Sequence, residues 1–418
     1  MSIDRRTFSL PRLLAVFIAA IATLLFPAPR SNAQSPAFPH SAASPATPQP
    51  WKIVFDRKMT ARRRVFDDWT TPINIFAVNM DNPSAELELT NDNLSTRPVW
   101  SPDGKKIAFV RGGYYGGVFV MDADGTNVRR VSEVLDAVTL TWSPNLKYLA
   151  FDMQPSGRYI GALNEFDYPM YLIDLESDAP PRRLVSKGVS PSWSPDSAQI
   201  AYTCDHTISA NKWDRAVCVI SLNPPSTPRT LIDQAQSPSW SPDGKRILYI
   251  STANPKPELF VSRADGSRPQ RISDRRYDVI EAAWSPNGKQ IAFTSTRSMD
   301  GYSSEPVYFE TGPAKIPEGG TRPFSHKVPE LFIANADGSR TIQIGARRAL
   351  HCNQFSWSPD SVFIAGICGS GFDDSHGVSG LSPADSIFLL DIIKPNSKPR
   401  IIARSGVESM NSAPAVSR

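Results

Sequence analysis

The chain has 418 residues, of which 40% are hydrophobic and 21% charged, and its formal net charge is +4. Thirty-eight prolines exclude an architecture of long helices, because proline ends helices and interrupts central strands. Arg5, Arg6, Arg12 and Arg30 against Asp4 carry most of the positive charge within residues 1–33, so the remainder is nearly neutral and no nucleic-acid partner is expected.

The first 33 residues read as an export signal. A basic start, "MSIDRRTFSL", precedes the apolar run Leu13–Phe26, and Ser31-Asn32-Ala33 supplies a small-x-small cleavage site. The run of 14 residues is short for a membrane span, so no stable span is expected once the leader is removed. Arg5-Arg6-Thr7-Phe8 resembles a twin-arginine signal, which would imply export in a folded state; a general secretory signal is the alternative. Either route predicts a periplasmic or secreted protein. Residues 34–50, "QSPAFPHSAASPATPQP", hold five prolines among small polar residues and read as a disordered linker.

From residue 51 onward one pattern recurs. "PVWSPDGKKIAFVRGG" begins at Pro98, and "WSP" returns at Trp142, Trp193, Trp240, Trp284 and Trp357, each time followed by a short apolar run. Spacings of 42, 51, 47, 44 and 73 residues point to a repeat of about 45 residues with one long insertion. Each unit reads as four short strands: one ending at the Trp, one such as "KIAFV", one such as "VFVMD", and one such as "VRRVS" after an "ADG" turn. Four antiparallel strands per repeat define a propeller blade.

The chain ends decide the blade number. "WKIVFDRK" at Trp51 matches a second strand, and Asn74–Thr90 supplies a third and a fourth. The missing first strand matches "NSAPAVSR", Asn411–Arg418. This predicts an all-β, seven-bladed propeller over residues 51–418 with both termini in one blade, six blades being the competing count. The Trp of each unit is expected to wedge between blades, and Ser-Pro-Asp-Gly to build the turn.

These repeats resemble the TolB-type propeller, a repeat also found in prolyl oligopeptidase-like and tricorn-like propellers. The resemblance implies a β-propeller closed by a C-terminal strand. TolB itself carries an α/β domain before its propeller and is expected to have six blades; here only a leader and a linker precede Trp51. The resemblance is specific for fold and weak for function.

Function is expected on one face. The "SPDG" and "DADG" turns vary little, whereas the loops between second and third strands differ in every unit, and long variable loops usually bind. Candidate binding residues there are Arg62, Arg63, Arg64, Trp69, Arg111, Tyr114, Tyr115, Arg158, Tyr159, Trp213, Tyr302, Tyr308, Asp373 and Asp374, rich in the Tyr, Trp and Arg of interaction hot spots. The alternative is that several of these aromatics fold back to pack their own loops. Four histidines, His206, His326, His351 and His376, are assigned to the same face as weak metal candidates without a ligand-spacing motif. No nucleophile elbow or phosphate loop is found. Four cysteines after an export signal suggest two disulfides, Cys204 with Cys218 and Cys352 with Cys368, with four reduced thiols as the alternative.

The sequence therefore points to a monomeric, non-enzymatic scaffold, without cofactor, that binds a protein, a peptide or a cell-envelope component. The alternative is a propeller enzyme, a carbohydrate lyase or hydrolase using His and Asp residues of the variable face.

Overall fold

The computed structural model describes residues 52–417 except 59–62, 66–67, 71, 81, 114, 136, 154–167, 210–211, 225, 276, 298–328, 345–349, 371–385, 395–397 and 405–414. The expected leader and linker, residues 1–50, lie outside the described residues. All described strands fall within one compact unit, residues 49–418.

Seven four-stranded antiparallel sheets form seven blades. Blade one is built from β1 (Lys52–Lys58), β4 (Ile73–Asn79), β5 (Asn82–Glu88) and the last strand, β30 (Ala415–Ser417). Blade two holds β6 (Ser95–Trp100) to β9 (Arg129–Ser132), blade three β10 (Ala137–Trp142) to β13 (Arg182–Val185), and blade four β14 (Val189–Trp193) to β17 (Arg229–Asp233). Blade five holds β18 (Ala235–Trp240) to β21 (Gln270–Arg271), blade six β22 (Tyr277–Trp284) to β25 (Ile342–Ile344), and blade seven β26 (Leu350–Trp357) to β29 (Arg400–Arg404). The seven-blade reading holds, and six blades are excluded.

Closure also follows the expected register. Ala415, Val416 and Ser417 pair with Val54, Ile53 and Lys52, as Trp100 pairs with Ile107 in blade two. Val416 thus occupies the register position of the blade tryptophan, and the ring joins without a free sheet edge there.

The core lies between blades. Seven hydrophobic clusters occupy the seven junctions, from Val54, Ile75 and Leu89 against Trp100 and Phe109 at the first to Ile367, Ile387 and Leu389 against Ile53, Phe55 and Val78 at the last. Alternation explains this: each strand points one set of apolar side chains to each flat face, and each face meets a neighbouring blade. Trp142, Trp193, Trp284 and Trp357 are buried in these junctions. Each Nε1 donates to the carbonyl of the preceding blade just before its tryptophan: Val99 (3.2 Å), Thr141 (3.3 Å), Ser239 (3.2 Å) and Ala283 (3.2 Å). Burial of each ring contributes about 2–3 kcal/mol. The recurring tryptophan is therefore an inter-blade wedge.

The Ser-Pro-Asp-Gly turn closes on itself. Ser101 Oγ donates to Asp103 Oδ1 at 2.6 Å and accepts from Lys106 N at 2.9 Å, while Gly104, with φ of 67°, carries the chain round. The same Ser–Asp or Ser–Asn bond recurs at Ser143, Ser194, Ser241, Ser285 and Ser358. Backbone bonds such as Ala123 N to Lys105 O and Ala264 N to Lys245 O tie the two turn sets together, so both lie on one face. At Gly266, with φ of +83°, an added Cβ would come within 2.8 Å of Leu231 O in blade four, so only glycine fits that turn.

Two segments expected as loops are strands. In blade one, β2 (Arg63–Val65) and β3 (Asp68–Thr70) form a separate hairpin. In blade four, β15 (Gln199–Ser209) and β16 (Lys212–Ser221) continue as a ladder far past the blade. Thr207, Ile208 and Trp213 supply the β-branched and aromatic residue types that favour strands, without a long apolar run or a strict alternation to mark the extension.

Candidate functional site

The site is bounded by the variable face and the inner ring. The first strand of each blade lies at one edge of its sheet, and first strands touch at six of the junctions, from blade one through to blade six and between blades seven and one. Each described one from blade two to blade seven carries a bulge two to four residues before its tryptophan, between Thr96 and Val99, Ala137 and Leu140, Val189 and Ser192, Gln236 and Ser239, Val279 and Glu281, and Cys352 and Gln354. Arg97, Ser190 and Ser237 take positive φ of 56°, 56° and 53° at these bulges.

Side chains from the preceding blade fix the bulges. Asp56 Oδ2 accepts from Arg97 N at 3.0 Å, Asp152 Oδ2 from Ser190 N at 2.8 Å, and Thr203 Oγ1 from Ser237 N at 2.8 Å. Asp152 Oδ1 also accepts from Thr139 N at 2.8 Å within its own blade. Burial raises the Asp152 carboxyl above its ordinary range, opposed by these two amides.

The same position three residues before the tryptophan carries Glu281 in blade six and Gln354 in blade seven. Burial alone raises the Glu281 carboxyl to about 7. Gln354 Oε1 is buried without a hydrogen-bond partner. A carboxyl titrating near neutrality can exchange a proton at physiological pH, which is the chemistry this part of the ring offers.

Three polar clusters line the variable face. Asp92 pairs with Arg111 at 2.6 Å and accepts from Ser95 Oγ. Arg111 also lies 4.3 Å from the Phe119 ring centre, so this candidate is held by its own blade. Asp205 pairs with Lys187 at 3.5 Å and accepts from the Tyr168 hydroxyl, while Arg215 Nη1 donates to Gln236 Oε1 at 2.8 Å. Burial first, then that bond to Asp205, raises the Tyr168 phenol far above its ordinary range. In blade five the buried Glu258 accepts from Asn254 Nδ2 at 2.7 Å and pairs with Arg271 (3.2 Å) and Arg275 (3.7 Å).

Of the sequence-derived candidates, Tyr115 stands at the tip of its loop, 77% exposed. The blade-one hairpin brings Arg64 opposite Trp69 and Arg63 opposite Thr70. In blade four Trp213 lies opposite Thr207 and His206 opposite Asp214, while His351 lies opposite Gly369 in blade seven. Arg62, Tyr114, Arg158, Tyr159, Tyr302, Tyr308, Asp373, Asp374, His326 and His376 lie outside the described residues. Among the described residues no group of three or more His, Cys, Asp or Glu side chains is arranged to hold a metal ion. No helix among them is long and apolar enough to cross a membrane.

Both cysteine pairs are disulfides, Cys204–Cys218 and Cys352–Cys368. Cys352 and Cys368 face each other across β26 and β27 (Phe363–Ser370), whereas Cys204 is bonded diagonally to the partner of Tyr202. Cys204 and Cys368 hold the same place at the end of a second strand, so both bridges brace the base of a variable loop.

Residues missed in the sequence are Glu258, Glu281, Asp205 and Tyr168. Glu258 had a legible signal: "PELF" begins the third strand in blade five at Pro257 and again in blade six at Pro329, an acid inside an apolar strand.

Comparison with known proteins agrees with the architecture. Residues 182–302 match the family model described as PD40, TolB beta propeller domain. The chain is a β-propeller, and the match to the TolB-type repeat lies within residues 182–302. The β-propeller domain of the Trilobed protease from Pyrococcus furiosus is similar at 15% identity, with 85% of this chain and 97% of that one covered and a TM-score of 0.55. An oligogalacturonate lyase from Vibrio parahaemolyticus is similar at 10% identity, covering 82% and 94%, with a TM-score of 0.54. A putative TolB from Agrobacterium tumefaciens is 18% identical, covering 70% and 88%, with a TM-score of 0.43. At these identities the likeness is one of fold. No curated protein sequence matches the chain.

Proposed function

We propose that this protein is an exported binding scaffold that takes a protein, a peptide or a cell-envelope ligand on its variable face. The observation that carries this reading is the asymmetry of the ring. The turn face is consumed by self-closing Ser–Asp turns, whereas the other end bears the projecting blade-four ladder, the blade-one hairpin and exposed Tyr115. Two disulfides brace that end, and bridges of this kind persist in an oxidising compartment such as the periplasm or the exterior.

The test is capture from a cell-envelope extract with matched variants. Replacing residues 298–328 by a short Gly-Ser linker, or Tyr115→Ser with Arg215→Ala, is expected to lose the captured partner. Asp265→Ala on the turn face is expected to keep it. Equal capture by all three variants counts against the variable face as the binding surface. A carbohydrate lyase or hydrolase remains the competing reading, supported by the near-neutral Glu281. Stoichiometric transition metal in the purified protein, lost on replacing His206, His351 or His376, would favour it.

A further inference from the structure

The inner ring is loosest at one junction. Among the described residues, the first strands of neighbouring blades approach least between blades six and seven, where β26 packs mainly on β24 (Pro329–Asn335) instead. Two polar side chains face that gap. Glu281 of β22 and Thr294 of β23 (Gln290–Arg297) are directly opposite in the ladder. Their neighbours two residues away, Ala283 and Ala292, pack in the cluster between these blades with Cys352 and Phe355 of blade seven. Strand alternation therefore turns Glu281 and Thr294 to the same side, and directly opposed residues hold their Cβ atoms about 5 Å apart.

The other blades show what this pair lacks. Thr294 lies three residues beyond Ile291, the ladder partner of Trp284. Asp56, Asp152 and Thr203 hold that place in blades one, three and four, and each accepts from a bulge amide of the next blade. Val110, Ile250 and Ile367 hold it in blades two, five and seven and need no donor. Thr294 is fully buried, and its hydroxyl has no partner. Glu281 is half-buried and has neither a donor nor a cation beside it among the described residues; burial alone accounts for its raised carboxyl. Ile280, the bulged residue next to it, is 51% exposed, so solvent reaches this end of the gap. A desolvated carboxyl and hydroxyl without partners are costly to keep, and a ligand that brings N–H donors removes that cost.

We propose that the inner gap between blades six and seven is a binding site for a primary alkylammonium ion. The ammonium would donate to the Glu281 carboxylate and to Thr294 Oγ1, and its alkyl stem would lie toward Phe355 and the Cys352–Cys368 bridge of blade seven. An ammonium suits the pair because both groups accept and its three N–H bonds diverge. A metal ion does not, since one carboxyl and one hydroxyl are too few ligands, and no cluster of metal-binding side chains lies among the described residues. The site would make Glu281 a binding group, held ionised by the bound cation, rather than a proton donor. It lies on the inner ring, so it does not rest on the variable-face reading.

The experiment uses full-length protein labelled with ¹³C at the glutamate carboxyl, with the Glu281 resonance assigned by its loss in Glu281→Gln. The probes, at neutral pH, are n-butylammonium chloride, tetramethylammonium chloride, which has no N–H, and the capped tripeptide acetyl-Gly-Lys-Gly-amide. n-Butylammonium is expected to move the Glu281 resonance saturably toward its ionised position, and tetramethylammonium at equal concentration to leave it in place. Thr294→Val, which keeps the side-chain shape and removes the acceptor, should weaken half-saturation about tenfold. Movement by the lysine peptide as well assigns the ammonium to a partner's lysine, and movement by n-butylammonium alone assigns it to a free amine; both uphold the site. No movement with n-butylammonium, equal movement with tetramethylammonium, or an unchanged half-saturation in Thr294→Val would each overturn the proposal.

Discussion

The carboxylate of Asp152 in blade three accepts a hydrogen bond at 2.8 Å from the backbone amide of Ser190 in blade four. That amide belongs to a residue with φ of 56°, a conformation that costs about 1 kcal/mol for a side chain other than glycine. The bulge at Ser190 is thus held by a group outside its own blade, which couples the local conformation of one sheet to the placement of the next. Asp56 and Thr203 do the same at Arg97 and Ser237.

Asp152→Ala is expected to destabilise the protein by about 2–4 kcal/mol, because two amides, of Thr139 and Ser190, lose a buried acceptor. Asp152→Asn should cost less, since its amide oxygen still accepts one of the two bonds. Urea unfolding of the two variants checks this. Equal stability of Asp152→Ala and wild type would show that the bulge does not need its clasp.

Glu281 gives stability a pH dependence of unusual sign. Its folded carboxyl titrates at about 7, above the ordinary 4.5. The folded state therefore binds more protons than the unfolded state between those values, and stability falls as pH rises from about 4.5 to 7. Below pH 4 the opposite trend is expected from Asp196 and Asp243. Hydrogen bonds from Ser194 and Ser241 hold these carboxyls below the ordinary value, and that contribution is lost as they protonate. Glu281→Gln should flatten the fall between pH 5 and pH 8 while leaving the acid limb. Denaturation midpoints at pH 3, 5 and 8 measure both.

How far the sequence reveals this molecule follows from which interactions are local. The turn at Ser101–Gly104 is written in four consecutive residues, and the tryptophan wedge recurs at one place in six of the seven units, so blade number and ring closure are readable. The bulge clasp is not. Asp56, Asp152 and Thr203 share one strand position, yet the partner amide lies in the next blade and its residue type is free to vary. Glu281 is hidden for the same reason: its counterparts in other blades are Arg97, Thr139, Ser190, Ser237 and Gln354, with no shared chemistry to mark the position. The blade-four ladder escapes because its extension is polar, and strand pairing rather than burial carries it.

Leu146 tests the turn directly. It holds the place of Gly104, Gly244 and Gly288, and adopts φ of 67°, where a leucine side chain crowds the following carbonyl. Ser197 and Ser361 hold the same place with φ of 61° and 62°, but each is compensated. Their hydroxyls accept from Asn145 N (3.0 Å) and Asn287 N (3.1 Å) of the preceding blade. Leu146 has no such oxygen. Leu146→Gly is therefore expected to raise stability by about 0.5–1 kcal/mol, and Ser197→Gly to lower or leave it unchanged despite the same relief of strain. Parallel unfolding curves decide it.

The disulfides make the last separation, between holding the ring and holding its binding end. Cys204–Cys218 closes a loop of 14 residues and Cys352–Cys368 one of 16, so chain entropy assigns each about 3 kcal/mol. Both lie at the variable-face ends of their strands, away from the turns that join blades. Cys204→Ser with Cys218→Ser should lower the unfolding free energy by about that amount. Limited proteolysis should then cut first beyond Cys204 and before Cys218, in the projecting ladder, while the Ser-Pro-Asp-Gly turns stay protected. Because β15 and β16 are paired over most of their length, the ladder should persist at neutral pH without the bridge, and capture of a partner should weaken rather than vanish. Cleavage appearing first at the blade junctions would place the bridge's contribution in the ring itself.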